Sequence, residues 1–208
     1  MNKLFRVEVV LTVIGTLLIL FSLLMALWNM WEDRRAKLKS ASIVEQFNIM
    51  LMNENHDFDG AIHEASANLY KAYPNADMPV KKIGPDTFVG LLSIPVLELS
   101  LPVYSEWSYD HLKDAPCRYS GSVGTNNLVI AAHNYQSHFG SVYSLQVGDI
   151  VFFIDANGTI FKYEVVEIET LEASDVDKMV NSSYDLSLFT CTIGGRNRVT
   201  VRCKFVPM

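Results

Sequence analysis

Residues 186–206 read LSLFTCTIGGRNRVTVRCKFV, two apolar stretches separated by a pair of glycines. The stretches at 186–192 and 199–206 are rich in β-branched and aromatic residues, which favour strands. Gly194 and Gly195 between them are typical of a tight turn. The sequence therefore predicts two neighbouring strands here, with a cysteine where the first one ends.

Further short strands are predicted upstream of this pair. Residues 89–104 (VGLLSIPVLELSLPVY) are aliphatic and contain two prolines, which suits strands with prolines at edges or corners. Residues 127–133 (NLVIAAH) read as a buried strand, and DANG at 155–158 is a hairpin signal between two apolar runs. Short strands at close spacing are typical of a small closed barrel or a sandwich.

The N-terminal region has the composition of a membrane helix. Residues 9–31 carry no charge over 23 positions, which is long enough to span a bilayer, and Trp28 and Trp31 are of a type enriched at membrane interfaces. A cleaved signal peptide would have a shorter apolar core and a small-residue cleavage site. We predict a retained anchor rather than a signal peptide or a buried helix, preceded by a short cytoplasmic tail at 1–8.

The rest of the chain divides into a helical and a β region. Residues 32–79 are predicted to form a helical stalk or linker, because apolar side chains recur near a 3.6-residue period over 38–72. A second helical stretch is predicted at 61–70, and the prolines at 73–79 break the pattern. Residues 80–208 are predicted to be a mostly β domain with short helices.

The charge distribution excludes one class of partner. Six of the 17 basic residues and three of the 23 acidic ones precede residue 40, which leaves the rest of the chain at about −9. Binding to nucleic acid requires clustered Lys and Arg that neutralise phosphates. We therefore expect no nucleic-acid partner.

Three residues with catalytic chemistry fall at the ends of predicted strands: His133, Cys191 and Arg198. A thiolate is a good acyl acceptor, an imidazole transfers the proton, and a guanidinium stabilises a developing oxyanion. The trio is typical of acyl transfer, but a lone cysteine at the end of a strand is more often a small buried hydrophobic residue, and sequence alone does not bring the three residues together. The chain has three cysteines and no CxxC pair, which disfavours a disulfide framework and a thiol oxidoreductase.

Two stretches resemble the signature of the sortases, cysteine transpeptidases of Gram-positive cell surfaces. In IAAHN, residues 130–134, His133 follows an apolar strand as the family's histidine does. In LFTCTIGGRNRVTVRC, residues 188–203, a Thr-Cys pair ends one strand and Arg198 opens the next. The likeness covers about residues 83–206.

The resemblance implies a sortase-like closed β-barrel over 80–208 and assigns roles by position. Cys191 would be the nucleophile, His133 the general acid/base, and Arg198 the residue that stabilises the oxyanion and positions the peptide. Further substrate contacts are expected from Thr190, Asn134 and Arg196.

The implied reaction cuts a Leu-Pro-x-Thr-Gly-like sorting signal after the threonine and forms a thioester. The acyl group then passes to an amine of a cell-wall peptide cross-bridge or a pilin lysine. The implied partners are the sorting-signal peptide of a secreted surface protein, the amine acceptor, and membrane lipid around the anchor. This chemistry requires no cofactor and no metal.

Two features leave alternatives open. Ala132 stands where sortases usually carry a glycine before the histidine, which supports a second hypothesis: a surface-anchored binding or scaffold module without turnover on the same barrel. Arg196 lies two residues before Arg198 and competes with it, since residues two apart in a strand share a face. Arg198 is preferred because it adjoins the apolar VTV stretch.

The remaining cysteines and histidines are expected to lie outside the site. Cys203 shares the parity of neighbouring apolar residues and is predicted to be in the core, whereas Cys117 is predicted to lie in a polar loop. His111 and His138 are predicted to be exposed loop histidines.

The subclass is not decided by the sequence. The His-Asn pair and the helical stalk resemble class B sortases. However, only 58 positions separate His133 from Cys191, which leaves little room for the long helical insertion of that class. The acidic segment 170–185 is predicted to be a solvated loop that contacts the peptide rather than a calcium site.

Two signals conflict on orientation. The basic residues after the apolar run would place the large domain in the cytoplasm by the positive-inside rule. Sortases with an N-terminal anchor expose the enzyme outside, so the resemblance implies a single-pass cell-membrane protein with an extracellular catalytic domain. The basic cluster would then contact anionic lipid headgroups; it consists of Arg34, Arg35, Lys37 and Lys39.

Overall fold

The computed structural model describes residues 3–55 and 77–208 of the chain. It begins with one continuous helix, α1 (Lys3–Asn55). The apolar segment lies in the first half of α1, and its side chains are exposed rather than packed in a core. By length and composition α1 is able to cross a membrane. The exposure argues against a buried helix of a soluble core.

Beyond the apolar segment, α1 packs against the β domain and contacts β3 (Leu99–Tyr104). Four buried residues at spacings of four, three and four form one face of the helix: Ala36, Ser40, Ile43 and Phe47. Residues 32–55, the described helical part of the segment predicted to be a stalk, therefore pack against the β domain. The predicted helical stretch at 61–70 and positions 73–76 of the predicted break lie outside the described residues.

Part of the basic cluster faces the β domain. Arg35 Nη1 lies 2.9 Å from Asp114 Oδ1, and Lys39 Nζ bonds the other carboxylate oxygen. Arg35 also pairs with Glu32 at 3.2 Å. The expectation that Arg35 and Lys39 contact lipid headgroups therefore does not hold, because both form ion pairs with the Asp114 carboxylate.

Residues 77–208 form nine strands: β1 (Lys81–Ile83), β2 (Asp86–Ile94), β3 (Leu99–Tyr104), β4 (Cys117–Ser120), β5 (Leu128–Ala131), β6 (Ile150–Asp155), β7 (Ile160–Glu172), β8 (Leu186–Cys191) and β9 (Asn197–Phe205). Two short helices and two 3₁₀ turns connect them: α2 (Tyr109–Leu112), α3 (Val176–Val180), and the turns Pro95–Leu97 and Val142–Ser144.

Eight of these strands close a barrel in the order β2-β3-β4-β5-β8-β9-β7-β6, and β6 pairs back onto β2. The strand β1 pairs only with the start of β2 within the described chain. Two pairings are parallel, β3–β4 and β5–β8, and the others are antiparallel. The architecture is the closed barrel and not the sandwich.

The predicted hairpin is present between β6 and β7. Asp155 Oδ1 accepts hydrogen bonds from the backbone N–H groups of Asn157 at 2.9 Å and Thr159 at 2.8 Å. Gly158 has φ +87°, a left-handed conformation that favours glycine. Of the two prolines, Pro95 begins the turn between β2 and β3 as predicted, whereas Pro102 lies within β3 opposite Leu91.

The barrel has an inner core and a second cluster beneath α1. The inner core is mainly aliphatic, with several aromatic rings, and includes Leu92, Ile94, Ile130, Leu188 and Val201. The second cluster packs Ile43 and Phe47 of α1 against outer-face residues such as Phe88, Tyr104 and Ala131. Burial of apolar surface at about 25 cal/mol per Å² stabilises both layers, so α1 is fixed to the side of the barrel that carries β3 and β5.

Candidate active site

Side-chain alternation along three strands puts the predicted catalytic residues on one face. The inner core takes alternate residues of β5, β8 and β9 and their extensions: Leu128, Ile130, Ala132, Leu186, Leu188, Val199, Val201 and Cys203. Successive side chains of a strand point to opposite faces. His133, Cys191 and Arg198 therefore belong to the outer face of the barrel.

The parallel strands β5 and β8 bring His133 and Cys191 to the same level. Ala131 pairs with Phe189, and the N–H of Ala132 donates to the Phe189 carbonyl oxygen at 3.1 Å. His133 and Cys191 each follow this pair by two positions. Neighbouring strands lie about 4.8 Å apart, so the imidazole and the thiol come from adjacent strands at one height.

Thr190 ties these two strands together. Its Oγ1 donates to the carbonyl oxygen of Ala132 at 2.9 Å, and the residue is 4% exposed. The bond fixes the peptide immediately before His133, and the burial of Thr190 leaves no side-chain surface for the predicted substrate contact. Ala132 itself lies in the inner core, so its extra methyl group does not obstruct the outer face.

Arg198 lies directly opposite Cys191 in the β8–β9 ladder. Directly opposite residues have Cβ atoms about 4.5–5.5 Å apart. The Nη1 group of Arg198 donates to the carbonyl oxygens of Gly195 at 2.9 Å and Asn197 at 3.0 Å. Arg196 is exposed and precedes β9, so the alternation of side chains along the strand does not apply to it. Of the two arginines, Arg198 is therefore the better candidate for the site.

The turn between β8 and β9 depends on its glycines. Gly194 and Gly195 have φ values of +85° and +73°, which residues with a Cβ rarely adopt. The N–H of Thr192 donates to the Asn197 carbonyl oxygen at 2.9 Å. Ile193 at the tip is 98% exposed, so an apolar side chain stands at the rim beside the cysteine.

The environment of His133 favours its neutral form. Burial lowers the pKa of His133, the charge of Lys113 acts in the same direction, and Glu32 opposes them. A neutral imidazole accepts a proton from a neighbouring thiol. His133 is therefore suited to act first as a base.

All three cysteines are free thiols, and Cys191 is the one that is not buried. Burial raises the pKa of Cys117 and of Cys203 to about 12, so neither forms a thiolate near neutral pH. The prediction that Cys203 is a core residue is confirmed. The predicted loop position of Cys117 is wrong, because Cys117 opens β4 and packs under α1.

The other predicted loop residues differ from one another. His138 is fully buried, contrary to the prediction, and burial lowers its pKa to about 4. The prediction for His111 is also wrong, because it is half-buried in α2 rather than exposed in a loop, and its ring stacks on Tyr104 at a centroid distance of 4.2 Å. Asn134 follows His133 directly and is exposed, a position open to a ligand.

A buried apolar cluster lies beside the site, and the sequence analysis missed it. Val129 and Phe189, on the strands of the histidine and the cysteine, pack with Tyr119 of β4 and Met179 of α3. The rings of Phe189 and Tyr119 meet edge to face at 5.2 Å. The available signal was the parity that Phe189 shares with Cys191.

A buried arginine holds α3 next to this buried cluster. Arg202 is 1% exposed, and its Nε donates to Glu169 at 2.7 Å. Its two Nη groups donate to the Lys178 carbonyl oxygen and to Ser187 Oγ, both at 2.8 Å. The acidic segment 170–185 is therefore partly helical and anchored, and no group of three or more His, Cys, Asp and Glu side chains is placed to hold a metal ion in residues 3–55 and 77–208.

A family model described as the sortase domain matches residues 92–206, more than half of the chain. The chain belongs to the sortase family. Most of the barrel falls within the matched region, which includes all three residues of the site. No curated protein sequence matches this sortase.

Solved sortase structures share the fold. Sortase C of Streptococcus pneumoniae is 22% identical with a TM-score of 0.61, covering 80% of this chain and 97% of that chain. Clostridium perfringens sortase C, solved with the C-terminal cell wall sorting motif, is 20% identical with a TM-score of 0.61, covering 81% and 100%. Sortase A of Corynebacterium diphtheriae is 17% identical with a TM-score of 0.57, covering 81% and 95%. Because the similar structures include classes C and A, the fold does not select a subclass.

Proposed function

We propose that this sortase is a membrane-anchored cysteine transpeptidase that cleaves a Leu-Pro-x-Thr-Gly-like sorting signal and transfers the acyl group to an amine. The observation that carries the proposal is the common outer face of His133, Cys191 and Arg198. His133 lies two residues beyond β5, Cys191 ends the adjacent parallel strand β8, and Arg198 lies directly opposite the cysteine.

The proposed chemistry gives each of the three residues a role in both half-reactions. His133 takes the proton of the Cys191 thiol, and the thiolate attacks the scissile carbonyl carbon. Arg198 stabilises the oxyanion that forms on the carbonyl oxygen. His133 then protonates the leaving amine as the C–N bond breaks, which leaves a thioester on Cys191.

The second half-reaction reverses these roles. The acceptor amine attacks the thioester carbonyl and gives a proton to His133, and Arg198 again stabilises the oxyanion. The C–S bond breaks, a new amide bond forms, and His133 returns the proton to the Cys191 thiolate. No oxidant, reductant or cofactor enters this sequence.

The partners follow from the chemistry and the neighbouring structures. The Clostridium perfringens structure concerns a cell wall sorting motif and the Streptococcus pneumoniae study concerns pilin substrate specificity. For this chain we propose the sorting-signal peptide of a secreted surface protein as acyl donor. A peptidoglycan cross-bridge amine or a pilin lysine would be the acceptor.

The location also belongs to the proposal. The exposed apolar half of α1 is suited to a single pass through the cell membrane. We propose an extracellular barrel, since a sorting signal and a cell-wall amine are both found outside the cytoplasm. The exposed Trp28 and Trp31, whose ring centroids are 5.5 Å apart, would then lie at the membrane interface.

The test uses the full-length protein in detergent with a library of quenched Leu-Pro-x-Thr-Gly-type peptides and an amine acceptor. We expect cleavage, an acyl-enzyme mass on Cys191, and loss of both in Cys191→Ala. Turnover that persists in Cys191→Ala would overturn the proposal.

A thiol reagent provides an independent readout. Iodoacetamide at pH 8 is expected to modify Cys191 and to spare the buried Cys117 and Cys203, as measured by peptide mass spectrometry. His133→Ala should slow this modification. A protein that is modified at Cys191 but cleaves no peptide in the library would favour the module without turnover.

A further inference from the structure

The turn of α1 that follows the apolar segment contacts the loop that begins with His133. Asp33 Oδ1 accepts hydrogen bonds from the Ser137 backbone N–H at 3.0 Å and from Ser137 Oγ at 2.6 Å. Ser137 Oγ also lies 3.2 Å from the Asp33 carbonyl oxygen. These two residues are 104 positions apart in the chain, so the contact is a tertiary one.

A second set of contacts holds the same face of α1. Arg35 and Lys39 both bind the Asp114 carboxylate, and Ser40 Oγ donates to the Asp114 carbonyl oxygen at 2.7 Å. Ser40 Oγ also lies 3.4 Å from Nε2 of the buried His138. The helix is therefore fixed to the α2–β4 connection and to the histidine loop at once.

The histidine loop, residues 133–140, is closed by its own backbone. The N–H of Phe139 donates to the His133 carbonyl oxygen at 3.1 Å, and the N–H of Gly140 donates to the Tyr135 carbonyl oxygen at 2.7 Å. A Cβ on Gly140 would lie 2.6 Å from that oxygen, so this close approach requires glycine. Ser137 lies within both of these hydrogen-bonded turns, and the turn closed by Phe139 is bonded to the His133 carbonyl oxygen, which links Ser137 to the backbone of His133.

We propose that Asp33 is a positioning residue, through which the anchor helix sets the histidine loop and holds His133 in register with Cys191. The catalytic part of this inference rests on the proposed function. Asp33 touches neither substrate nor thiol, and it acts through Ser137.

The experiment compares Asp33→Ala, Asp33→Asn and Ser137→Ala in the full-length protein in detergent, with peptide turnover measured at several substrate concentrations. Asp33→Ala should lower kcat roughly tenfold with little change in KM, because the histidine loses its position whereas Cys191 and Arg198, on β8 and β9, keep theirs. Asp33→Asn keeps an acceptor oxygen and should recover most of the rate.

The matched control is Glu45→Ala, which removes an exposed acid from the same helix. Hydrogen exchange supplies a readout that does not depend on turnover. The Ser137 amide should exchange at least about tenfold faster in Asp33→Ala than in wild type and Glu45→Ala.

Each outcome decides the inference. Wild-type kcat and wild-type exchange in Asp33→Ala would overturn it, as would an effect confined to KM. If Asp33→Ala does not fold, Ser137→Ala takes its place, because it loses only the hydroxyl bonds. Its kcat must then fall, by less than the roughly tenfold expected for Asp33→Ala, or the inference fails. If the wild type cleaves no peptide, the proposed function fails separately, and the exchange of the Ser137 amide alone confirms or rejects the docking.

Discussion

At the scale of single residues, the site depends on the charge of Arg198 and on how that charge is held. In the part of the chain that the structure describes, its hydrogen bonds go to the carbonyl oxygens of Gly195 and Asn197 and not to a carboxylate. Neutral oxygens orient the guanidinium without cancelling its charge. The charge therefore remains available to an oxyanion formed at Cys191.

Replacement of Arg198 tests this role against the neighbouring arginine. Arg198→Ala is expected to lower kcat/KM for peptide cleavage by roughly 10²–10³-fold, the usual effect of removing an oxyanion donor. Arg196→Ala removes the same charge from an exposed turn position and should change kcat/KM less than about threefold. Equal losses in the two variants, measured by steady-state kinetics, would assign the effect to net charge alone.

At the scale of elements, the pairing of β5 with β8 builds the site. The sequence predicts both strands and places His133 and Cys191 at their ends. It does not predict that the strands are parallel neighbours, since residues 58 positions apart carry no local signal of register. The hydrogen bond from Thr190 to the Ala132 carbonyl oxygen fixes the position of His133 along the strands relative to Cys191. A Thr-Cys pair in the sequence does not predict that bond.

Thr190 provides a test of this pairing. Thr190→Val keeps the shape and removes the hydroxyl, which leaves the Ala132 carbonyl without its partner. We expect the free energy of unfolding to fall by about 1–2 kcal/mol and kcat to fall several-fold. Thr190→Ser keeps the hydrogen bond and should retain more of both. Chemical denaturation and peptide kinetics measure the two effects, and equal behaviour of the two variants would contradict the positioning role.

The contact between α1 and the histidine loop makes stability depend on pH. Burial lowers the pKa of His138 to about 4 in the folded state, against about 6.5 in an unfolded chain. Between pH 6.5 and pH 4 the unfolded state binds a proton that the folded state does not, so stability falls as the pH falls. Asp33, Asp114 and His133 also face this ring electrostatically.

Urea denaturation at pH 7.5 and pH 4.5 measures this loss. The wild type is expected to lose up to about 3 kcal/mol through His138 across this interval. His138→Gln, which keeps a polar atom near Ser40 and cannot titrate, should lose correspondingly less. His111→Gln is the control and should follow the wild type. Parallel curves for wild type and His138→Gln would exclude His138 as the titrating group.

At the scale of the whole molecule, the apolar helix and the barrel form one packed unit. The sequence predicts a helix, a stalk and a barrel in the right order, because hydrophobic run length and periodicity are local properties. It misses the docking, since Asp33–Ser137 and Arg35–Asp114 join surface-type residues of distant segments. The sequence also predicts lipid contact for Arg35 and Lys39, because it does not show that Asp114, 75 or more positions away, pairs with both.

Truncation tests the docking at this scale. A protein of residues 32–208 keeps every polar contact between α1 and the barrel described above, whereas residues 41–208 lose those made by Asp33, Arg35, Lys39 and Ser40. We expect the shorter protein to melt about 5–10 °C lower and to turn over peptide more slowly. Differential scanning calorimetry measures the first effect, and identical melting temperatures would show that these contacts add nothing to stability.

The unbroken course of α1 limits where a scissile bond is accessible. Asp33 lies two residues beyond Trp31, a rise of about 3 Å along the helix axis. It accepts hydrogen bonds from Ser137 of the histidine loop. With the apolar half embedded as proposed, the candidate active site stays at a constant height above the lipid headgroups, because no flexible linker separates it from the membrane-spanning part of α1. A donor protein would then be processed efficiently only if the spacer between its scissile bond and its own lipid-embedded part matches that height.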